Sequence, residues 1–332
     1  MTPVRWGILS TALIATQRVI PSMLKSGSLQ VAAIASRSLS KAQAAASLLG
    51  IPRAYGSYEA LLADPSIEAI YNALPNHLHV PMTLEAVKAG KHVLCEKPMS
   101  LSAGELEALR PYATQVHIRE AFMVLHHPQW VQVREVVRQG SIGKLRFIHV
   151  AFSFFNVDAG NIRNQADLGG GALYDIGGYA IVAGRWFFER EPEGVNAIID
   201  RDPEFKTDRT ASGCLDFGDG LQLAFTVSTQ SARHQRIQLF GTKGRIEIEI
   251  PFNPSPDMPC RYTIDDASAP DGSGARVVTV SAADQFLLQA EAFSIAVRTQ
   301  RPDTTALDDS AKNIRIIEAL YASGSSGRVE RP

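Results

Sequence analysis

Val4-Arg5-Trp6-Gly7-Ile8-Leu9-Ser10-Thr11-Ala12 is the stretch of sequence that decides the fold. Its apolar run, Val4–Leu9, predicts a buried strand, and the small residues after the run predict a turn. A helical pattern over 13–25 follows, and a second apolar run, Gln30–Ala35, precedes an Ala- and Leu-rich helical segment over 40–49. The order strand, helix, strand, helix predicts a parallel sheet with crossover helices.

The alternation of strands and helices continues for the first third of the chain. Three more apolar runs, with helical segments between them, lie at 67–73, 92–95 and 116–119. We therefore predict that residues 1–122 form an α/β domain with the doubly wound parallel sheet of a Rossmann fold. In such a sheet, ligands bind at the carboxyl ends of the strands, where the strand order reverses.

A different rhythm begins after residue 122. Helical segments over 129–139 and 179–188 flank a long apolar strand at 145–155. Alternating segments separated by Gly-rich turns then follow at 195–200, 211–217, 221–228, 233–240 and 245–250. This pattern predicts a large, mostly antiparallel open sheet. With two closing helices at 283–299 and 310–322, residues 123–332 are predicted to form a second, α+β domain.

The composition excludes several classes of protein. With a formal net charge of −1 and no long Lys/Arg run, the chain lacks the clustered cations on which nucleic-acid binding depends, so we expect no nucleic-acid partner. No apolar stretch approaches about 18 residues, so we expect no membrane span. Because the first residues lead directly into the strand Val4–Leu9 without a signal-like segment, we expect a cytoplasmic protein.

The cysteines and histidines do not have metal-ligand spacing. Cys95, Cys214 and Cys260 lie far apart in the sequence, so we interpret them as reduced thiols. Two histidine pairs lack a nearby cysteine or converging carboxylates; they are His77 with His79 and His126 with His127. The sequence therefore predicts no metal site.

The turn after the first strand is the candidate pyrophosphate site of a dinucleotide. A Rossmann domain usually carries a G-x-G-x-x-G/A turn there, so that the pyrophosphate reaches the amide groups at a helix N-terminus. This chain has Ser10, Thr11, Ala12, Leu13 and Ile14 at that place. Only the spacing of small residues is kept, which leaves open the interpretation that the segment merely begins a helix.

The end of the second strand indicates which coenzyme is bound. An acidic residue there would accept hydrogen bonds from the ribose 2′-hydroxyl of NAD(H). This chain has Ser36, Arg37 and Ser38 instead, with Lys41 close behind. A guanidinium suits a 2′-phosphate, so the sequence favours NADP(H) over NAD(H). The alternative is that Arg37 is an ordinary solvated side chain.

One string of residues is typical of a known family. Gly90-Lys91-His92-Val93-Leu94-Cys95-Glu96-Lys97-Pro98 resembles the signature of the glucose-fructose oxidoreductase, inositol dehydrogenase and MocA-like (Gfo/Idh/MocA) family. Further matches, in order, are Pro75–His79, Glu120–Met123 and Gly169–Gly177. Arg5–Ser10 and Ala54–Glu59 resemble the branch that contains dimeric dihydrodiol dehydrogenase and NADP-dependent D-xylose dehydrogenase.

The resemblance implies a catalytic group built from Lys97, Tyr179 and Asp175. A phenol alone is too basic for proton transfer near neutral pH, but a neighbouring ammonium lowers its pKa. Tyr179 is therefore the expected proton donor or acceptor and Lys97 the charge that tunes it, although the two roles could be exchanged. Asp175, four residues before Tyr179, would share its helix face and orient a substrate hydroxyl or Lys97.

The resemblance also implies further contacts. Besides Lys97, the residues expected to line the coenzyme are Leu74, Asn76, His79 and Glu96. Glu120 and Phe122 are expected near the substrate. Arg163 is expected either to reach substrate hydroxyls or to form a surface salt bridge.

These observations lead to one functional hypothesis and two alternatives. We expect an NADP(H)-dependent oxidoreductase that transfers a hydride between nicotinamide and a CH–OH or carbonyl group of a sugar or polyol. The alternatives are a trans-dihydrodiol dehydrogenase or dicarbonyl reductase, and a non-catalytic NAD(P)-binding sensor. The resemblance also implies that the second domain binds the substrate and that its open sheet joins subunits into a homodimer or homotetramer.

Overall fold

The computed structural model describes residues 2–299 and 301–332, and the chain divides into two compact units. The first consists of the chain up to Met123 together with Asp284–Ala311, and the second of Val124–Ala283 together with Lys312–Pro332. Within the described residues, no helix is long and apolar enough to cross a membrane.

The first unit is built on a six-stranded parallel sheet. Its strands are β1 Val4–Leu9, β2 Leu29–Ala35, β3 Arg53–Tyr55, β4 Ala69–Asn72, β5 His92–Cys95 and β6 Ile118–Glu120. They lie in the order β3-β2-β1-β4-β5-β6, so the direction of winding reverses between β1 and β4. The predicted Rossmann sheet is confirmed, although the short strand β3 was not anticipated.

Helical segments follow most strands. The α-helices are α1 Ile20–Met23, α2 Leu39–Leu49, α3 Tyr58–Leu62, α4 His79–Lys88, α5 Pro128–Arg138, α6 Gly178–Phe188, α7 Gln285–Thr299 and α8 Ala306–Ser326. Two π-helical turns, Ala15–Val19 and Leu173–Gly177, lead into α1 and α6. The 3₁₀ segments are Asn76–Leu78, Ala103–Tyr112, Met123–His126, Ile162–Asn164 and Ala166–Leu168.

Helix α7 belongs to the first unit, although it comes late in the chain. Its Phe293 ring packs against Trp6 of β1 with ring centroids 5.2 Å apart, and the indole N–H of Trp6 donates to Ser294 Oγ at 3.1 Å. A division of the chain at 122/123 would assign this helix to the second domain. The structure differs because α7 covers the apolar side chains of β1 and β2, which local sequence cannot reveal.

The second unit is built on an eight-stranded sheet. Its strands are β7 Leu145–Phe155, β8 Gly194–Arg201, β9 Asp208–Asp216, β10 Gln222–Ser228, β11 Gln230–Gly241, β12 Arg245–Ile248, β13 Cys260–Asp265 and β14 Ala275–Val280. Their order is β14-β13-β12-β11-β7-β10-β9-β8. Only β7 and β10 pair in parallel, so the prediction of a mostly antiparallel sheet is confirmed. Strands β13 and β14 were missed, because the residues around them are rich in Pro, Gly and Asp.

Candidate active site

The carboxyl ends of the parallel strands form one row. Leu9, the last residue of β1, pairs with Ala35 on one side and with Asn72 on the other. Asn72 pairs with Cys95, and Cys95 pairs with Glu120. The residues that follow these positions therefore leave the sheet at the same edge, where a Rossmann fold binds its ligands.

A positive φ and two hydrogen bonds at Ser10 define the turn after β1. Ser10 has a positive φ of 88°, its N–H donates to Ala35 O at 2.9 Å, and its Oγ accepts from the N–H of Ala12 at 3.1 Å. A left-handed serine is uncommon and marks a specified turn rather than the start of a helix. The helix begins only after this turn, and Leu13 at its first turn is 69% exposed.

The end of β2 presents cations and a helix N-terminus together. Ser36 is buried and its N–H donates to Tyr55 O at 3.1 Å. Ser38 caps α2 by accepting from the N–H of Lys41 at 3.4 Å, and the side chains of Arg37 and Lys41 are exposed. No carboxylate lies between residues 36 and 41. This end of the sheet therefore fits an anion.

Hydrogen bonds involving Glu96 and Glu120 fix the loop that carries Lys97. The hydroxyl of Tyr71 donates to the Glu96 carboxylate, whose other oxygen accepts from the N–H of Lys97 at 3.1 Å. The N–H of Met99 donates to Glu120 Oε1 at 2.8 Å. Glu96 and Glu120, expected from the sequence at the coenzyme and substrate, thus also fix the backbone on both sides of Lys97.

His79 lies inside the first unit rather than at its edge. It is 1% exposed, and its ring nitrogens lie 2.7 Å from the carbonyl oxygens of Pro98 and Leu74. Two acceptors favour a doubly protonated ring, but burial outweighs them and, with the charge of Lys97, lowers the pKa of His79 to about 4. The ring therefore lies between the loop after Lys97 and the end of β4, where its neutral form donates to one of the two carbonyl oxygens. The expected contact of His79 with the coenzyme stays a prediction. Asn76, at the start of the 3₁₀ turn before it, is partly exposed.

We expect the protein to lose stability as the pH falls from about 6.5 towards 4. In the unfolded chain a histidine takes up a proton near pH 6.5, whereas folded His79 stays neutral until about pH 4. Its contribution is therefore fully present above pH 6.5, and about 2 kcal/mol of it is lost at pH 5. Burial lowers the pKa values of His92 and His127 to about 4 as well, which acts in the same direction.

Urea unfolding at a series of pH values measures this effect. His79→Gln removes one titrating group and should lower the slope of unfolding free energy against pH by about 1.2 kcal/mol per pH unit between pH 5 and 6. His234→Gln, at an exposed position on β11, is the matched control and should keep the wild-type slope. Equal slopes in the His79→Gln variant and the wild type would contradict the prediction.

In the second unit, Asp175 and Tyr179 lie on one continuous helical segment. Asp175 is in the π-helical turn Leu173–Gly177, and Tyr179 is in the first turn of α6. Turns with i→i+5 hydrogen bonds are rare and are frequently found at functional sites. On a helical segment a four-residue spacing places side chains on neighbouring parts of one face, and the shared role of Asp175 and Tyr179 stays a prediction.

Both side chains have contacts within the second unit. Arg163 Nε donates to Asp175 Oδ2 at 2.6 Å, so Arg163 forms the salt bridge that the sequence left as an alternative. Tyr179 is buried, with its ring centroid 5.7 Å from that of Phe152 and 5.2 Å from that of Phe252. These rings fix the plane of the phenol.

The expected site residues are therefore divided between the two units. Lys97 and Glu120 are in the first unit and Arg163, Asp175 and Tyr179 in the second. Within the residues that the structure describes, no group of three or more His, Cys, Asp or Glu side chains could hold a metal ion.

Phe122 lies directly before Met123, where the chain passes from the first unit to the second. Its side chain is buried, and its N–H and that of Met123 donate to the amide oxygen of Gln289 on α7, at 3.1 and 3.2 Å. Gln289 thus fixes the backbone where the chain leaves this unit. A glutamine inside a helical pattern gave no signal of this role.

Two family models match the chain. Residues 4–124 match an oxidoreductase family with an NAD-binding Rossmann fold, and residues 130–247 match the GFO/IDH/MocA C-terminal domain. This chain belongs to the Gfo/Idh/MocA oxidoreductase family. The resemblance predicted from the Glu96-Lys97-Pro98 string is confirmed.

Relatives within the Gfo/Idh/MocA family cover nearly the whole chain. An uncharacterized oxidoreductase of Rhizobium meliloti is 46% identical over 99% of this chain and 99% of its own length. D-xylose 1-dehydrogenase (NADP(+)) 2 of Haloferax volcanii is 38% identical over 97% of this chain and 98% of its own. A solved 3-ketoreductase from Actinomadura kijaniata, in complex with NADP and TDP-benzene, has a TM-score of 0.90 at 29% identity, covering 97% of this chain and 98% of that one.

Proposed function

We propose that this Gfo/Idh/MocA oxidoreductase uses NADP(H) and acts on a CH–OH or carbonyl carbon of a sugar or related polyol. The observation that carries the coenzyme assignment is the end of β2, where Arg37 and Lys41 are exposed beside the N-terminus of α2 and no carboxylate intervenes. A planar guanidinium and the positive end of a helix both favour a phosphate. The NADP of the Haloferax and Actinomadura relatives supports the same assignment.

The other coenzyme contacts are proposed along the row of strand ends. The first-turn amide groups after Ser10 have no partner within their helix and suit the pyrophosphate. The side chains of Leu13 and Ile14, which are exposed, would pack on the coenzyme. Leu74, Asn76, Glu96 and Lys97 would line the part that carries the nicotinamide. The bound nicotinamide supplies or takes up the hydride.

The substrate hydroxyl needs a proton acceptor during oxidation, and the carbonyl needs a donor during reduction. We assign this role to Tyr179, with Lys97 as the cation that stabilises the phenolate and holds the reacting oxygen; the reverse assignment is the alternative. Arg163 Nε donates to Asp175 Oδ2 at 2.6 Å, and Asp175 is proposed to accept hydrogen bonds from substrate hydroxyls. Glu120 and Phe122 are proposed to contribute to the substrate side from the first unit.

A nicotinamide absorbance screen tests the function. The purified protein is assayed with NADP(H) and NAD(H) against aldoses, inositols, dicarbonyls and cyclic dihydrodiols, with epimeric sugars as matched pairs. Turnover of an aldose or polyol with NADP(H) supports the proposal, and turnover restricted to dihydrodiols or dicarbonyls would replace the substrate class. Tight NADP(H) binding without turnover across the panel would indicate a sensor.

We also propose that the open face of the second sheet joins subunits into a homodimer or homotetramer. Phe147 on β7 and Phe240 on β11 stack on this face with ring centroids 4.4 Å apart. The ring centroid of His149 lies 5.2 Å from that of Phe147. Ile198 on β8 is 81% exposed. Exposed aromatic and aliphatic side chains on one sheet face are typical of an interface.

Light scattering measures the oligomeric state. Phe147→Lys combined with Phe240→Lys is expected to lower the molar mass to that of the monomer, because burying two ammonium groups would oppose association. Leu48→Lys, which changes an exposed leucine of α2, is the matched control and should leave the mass unchanged. A wild-type protein that is already monomeric would refute the interface.

A cytoplasmic location is part of the same proposal. Cys95, Cys214 and Cys260 are all free thiols in the structure, as is usual for proteins of reducing compartments.

A further inference from the structure

A buried carboxylate is hydrogen-bonded to the backbone of the turn that carries Asp175. Asp208, the first residue of β9, is 1% exposed. Its Oδ2 accepts from the backbone N–H of Leu173 at 2.7 Å, and its Oδ1 accepts from the hydroxyl of Tyr321 on α8, also at 2.7 Å. Both of its oxygens are therefore engaged in short hydrogen bonds.

We propose that Asp208 is a positioning residue that, together with Tyr321, fixes the π-helical turn Leu173–Gly177 and thereby the orientation of Asp175 and Tyr179. This inference rests on the proposed function, because it gives Asp208 an effect on catalysis only if Asp175 and Tyr179 serve the reaction.

Gly171 connects Asp208 to Asp175 and Arg163 through the backbone. Gly171 has a φ of +118°, and a Cβ there would lie 1.9 Å from Asp208 Oδ1. Its carbonyl accepts from the N–H of Asp175 at 3.1 Å, and its N–H donates to Arg163 O at 2.9 Å. Gly171 therefore lies against Asp208, and its backbone is hydrogen-bonded to both Arg163 and Asp175.

Burial raises the pKa of Asp208, and the hydrogen bonds from Leu173 and Tyr321 together with the charge of Arg201 oppose this shift. The carboxylate stands at the N-terminus of the helical segment that runs from Leu173 through α6, where the helix dipole is positive. The Arg201 guanidinium lies 5.6 Å from the centroid of the Tyr321 ring and stabilises the negative charge of Asp208. Tyr174 packs against the same ring with centroids 5.4 Å apart. The hydroxyl of Tyr321 is thus oriented towards Asp208 by its own neighbours.

Kinetics of Asp208→Ala, Asp208→Asn and Tyr321→Phe test the proposal. We expect Asp208→Ala to lower kcat about 10- to 100-fold, since small displacements of reacting groups have effects of this size. The dissociation constant for NADPH should stay within twofold, because Asp208 lies in the second unit and the proposed coenzyme contacts in the first. Asp208→Asn keeps an acceptor for Leu173 N–H and a donor for the Tyr321 oxygen, and should restore at least a third of the activity. Tyr321→Phe is the milder variant and should lower kcat about 3- to 10-fold.

Asp202→Ala is the matched control for loss of a buried carboxylate in the same unit. Asp202 is also buried, but it accepts from the N–H groups of Glu204 and Phe205 in its own turn and from the Gln230 side chain at the start of β11. This variant should lower Tm while leaving kcat per folded molecule near the wild-type value. If Asp208→Ala behaves in the same way, with activity lost only in proportion to folded protein, the proposal is refuted.

A double-mutant cycle separates this inference from the proposed function. If Asp208 acts through Tyr179, Asp208→Ala should lower turnover much less in a Tyr179→Phe background than in the wild type. Fully additive effects would overturn the inference and leave the proposed function intact. Wild-type turnover in Tyr179→Phe alone would overturn the proposed role of Tyr179. Wild-type turnover in both Asp208→Ala and Tyr321→Phe would overturn only the positioning role.

Discussion

Lys97→Met and Tyr179→Phe are each expected to lower kcat by about 10²- to 10⁴-fold, the usual contribution of a positioned acid or base. Lys97→Met removes the cation but keeps a chain of similar length. Tyr179→Phe removes only the hydroxyl, so the ring keeps its packing against Phe152 and Phe252. Affinity for NADPH should stay within about threefold, because most of the proposed coenzyme contacts lie elsewhere. Initial rates at saturating substrate, with coenzyme titration followed by fluorescence, measure both quantities.

Two controls accompany these variants. Lys88→Met changes an exposed lysine at the end of α4, and Tyr262→Phe changes a buried tyrosine of β13. Both should turn over at close to the wild-type rate. Unchanged turnover in Lys97→Met or in Tyr179→Phe would refute the role assigned to that residue, and turnover that is absent even in the wild type would favour the sensor.

Arg37→Ala should reduce kcat/KM for NADPH by about 10- to 150-fold, which corresponds to the loss of roughly 1.5–3 kcal/mol of charge-assisted hydrogen bonding to a 2′-phosphate. The kcat/KM for NADH should change by less than about twofold, because NADH has a hydroxyl in place of the 2′-phosphate and makes no ion pair with Arg37. Lys41→Ala should show the same selectivity with a smaller effect. Steady-state kinetics with both coenzymes measure the ratio.

Lys88→Ala removes one exposed cation from the same unit and controls for the loss of net charge. Equal losses with NADPH and NADH in Arg37→Ala would mean that Arg37 contacts a part common to the two coenzymes. Wild-type kcat/KM values with both coenzymes in Arg37→Ala would mean that the selectivity is determined elsewhere.

Much of the fold could be predicted because the decisive signals are local. Periodicity in Val4–Leu9 and in the runs that follow specifies strands and helices within a few residues, and these alone imply a parallel sheet. Strand β3, with three residues, and strands β13 and β14 were missed. They are short or bounded by Pro- and Gly-rich segments, and become strands through their neighbours in the sheet.

The expected coenzyme and catalytic residues were predicted from motifs, and several residues that contact them in the structure were not. Ser10 and Arg37 follow directly on predicted strands, so their place at the edge of the sheet follows from topology. Tyr71 and Gln289 look like ordinary core and helix residues in the sequence. Both ring nitrogens of His79 lie 2.7 Å from backbone carbonyl oxygens, which a histidine in a motif does not reveal, and its contact with the coenzyme stays a prediction.

The sequence by itself determined the order of strands and helices, the family and the cationic end of β2, because each of these depends on residues that are neighbours in the chain. Only the tertiary structure decided that α7 returns to cover Trp6, through a hydrogen bond that spans 288 residues, and that Tyr321 reaches Asp208 across 113 residues. Contacts of this kind have no local periodicity. They form because packing brings distant buried polar groups together, where each must find a partner.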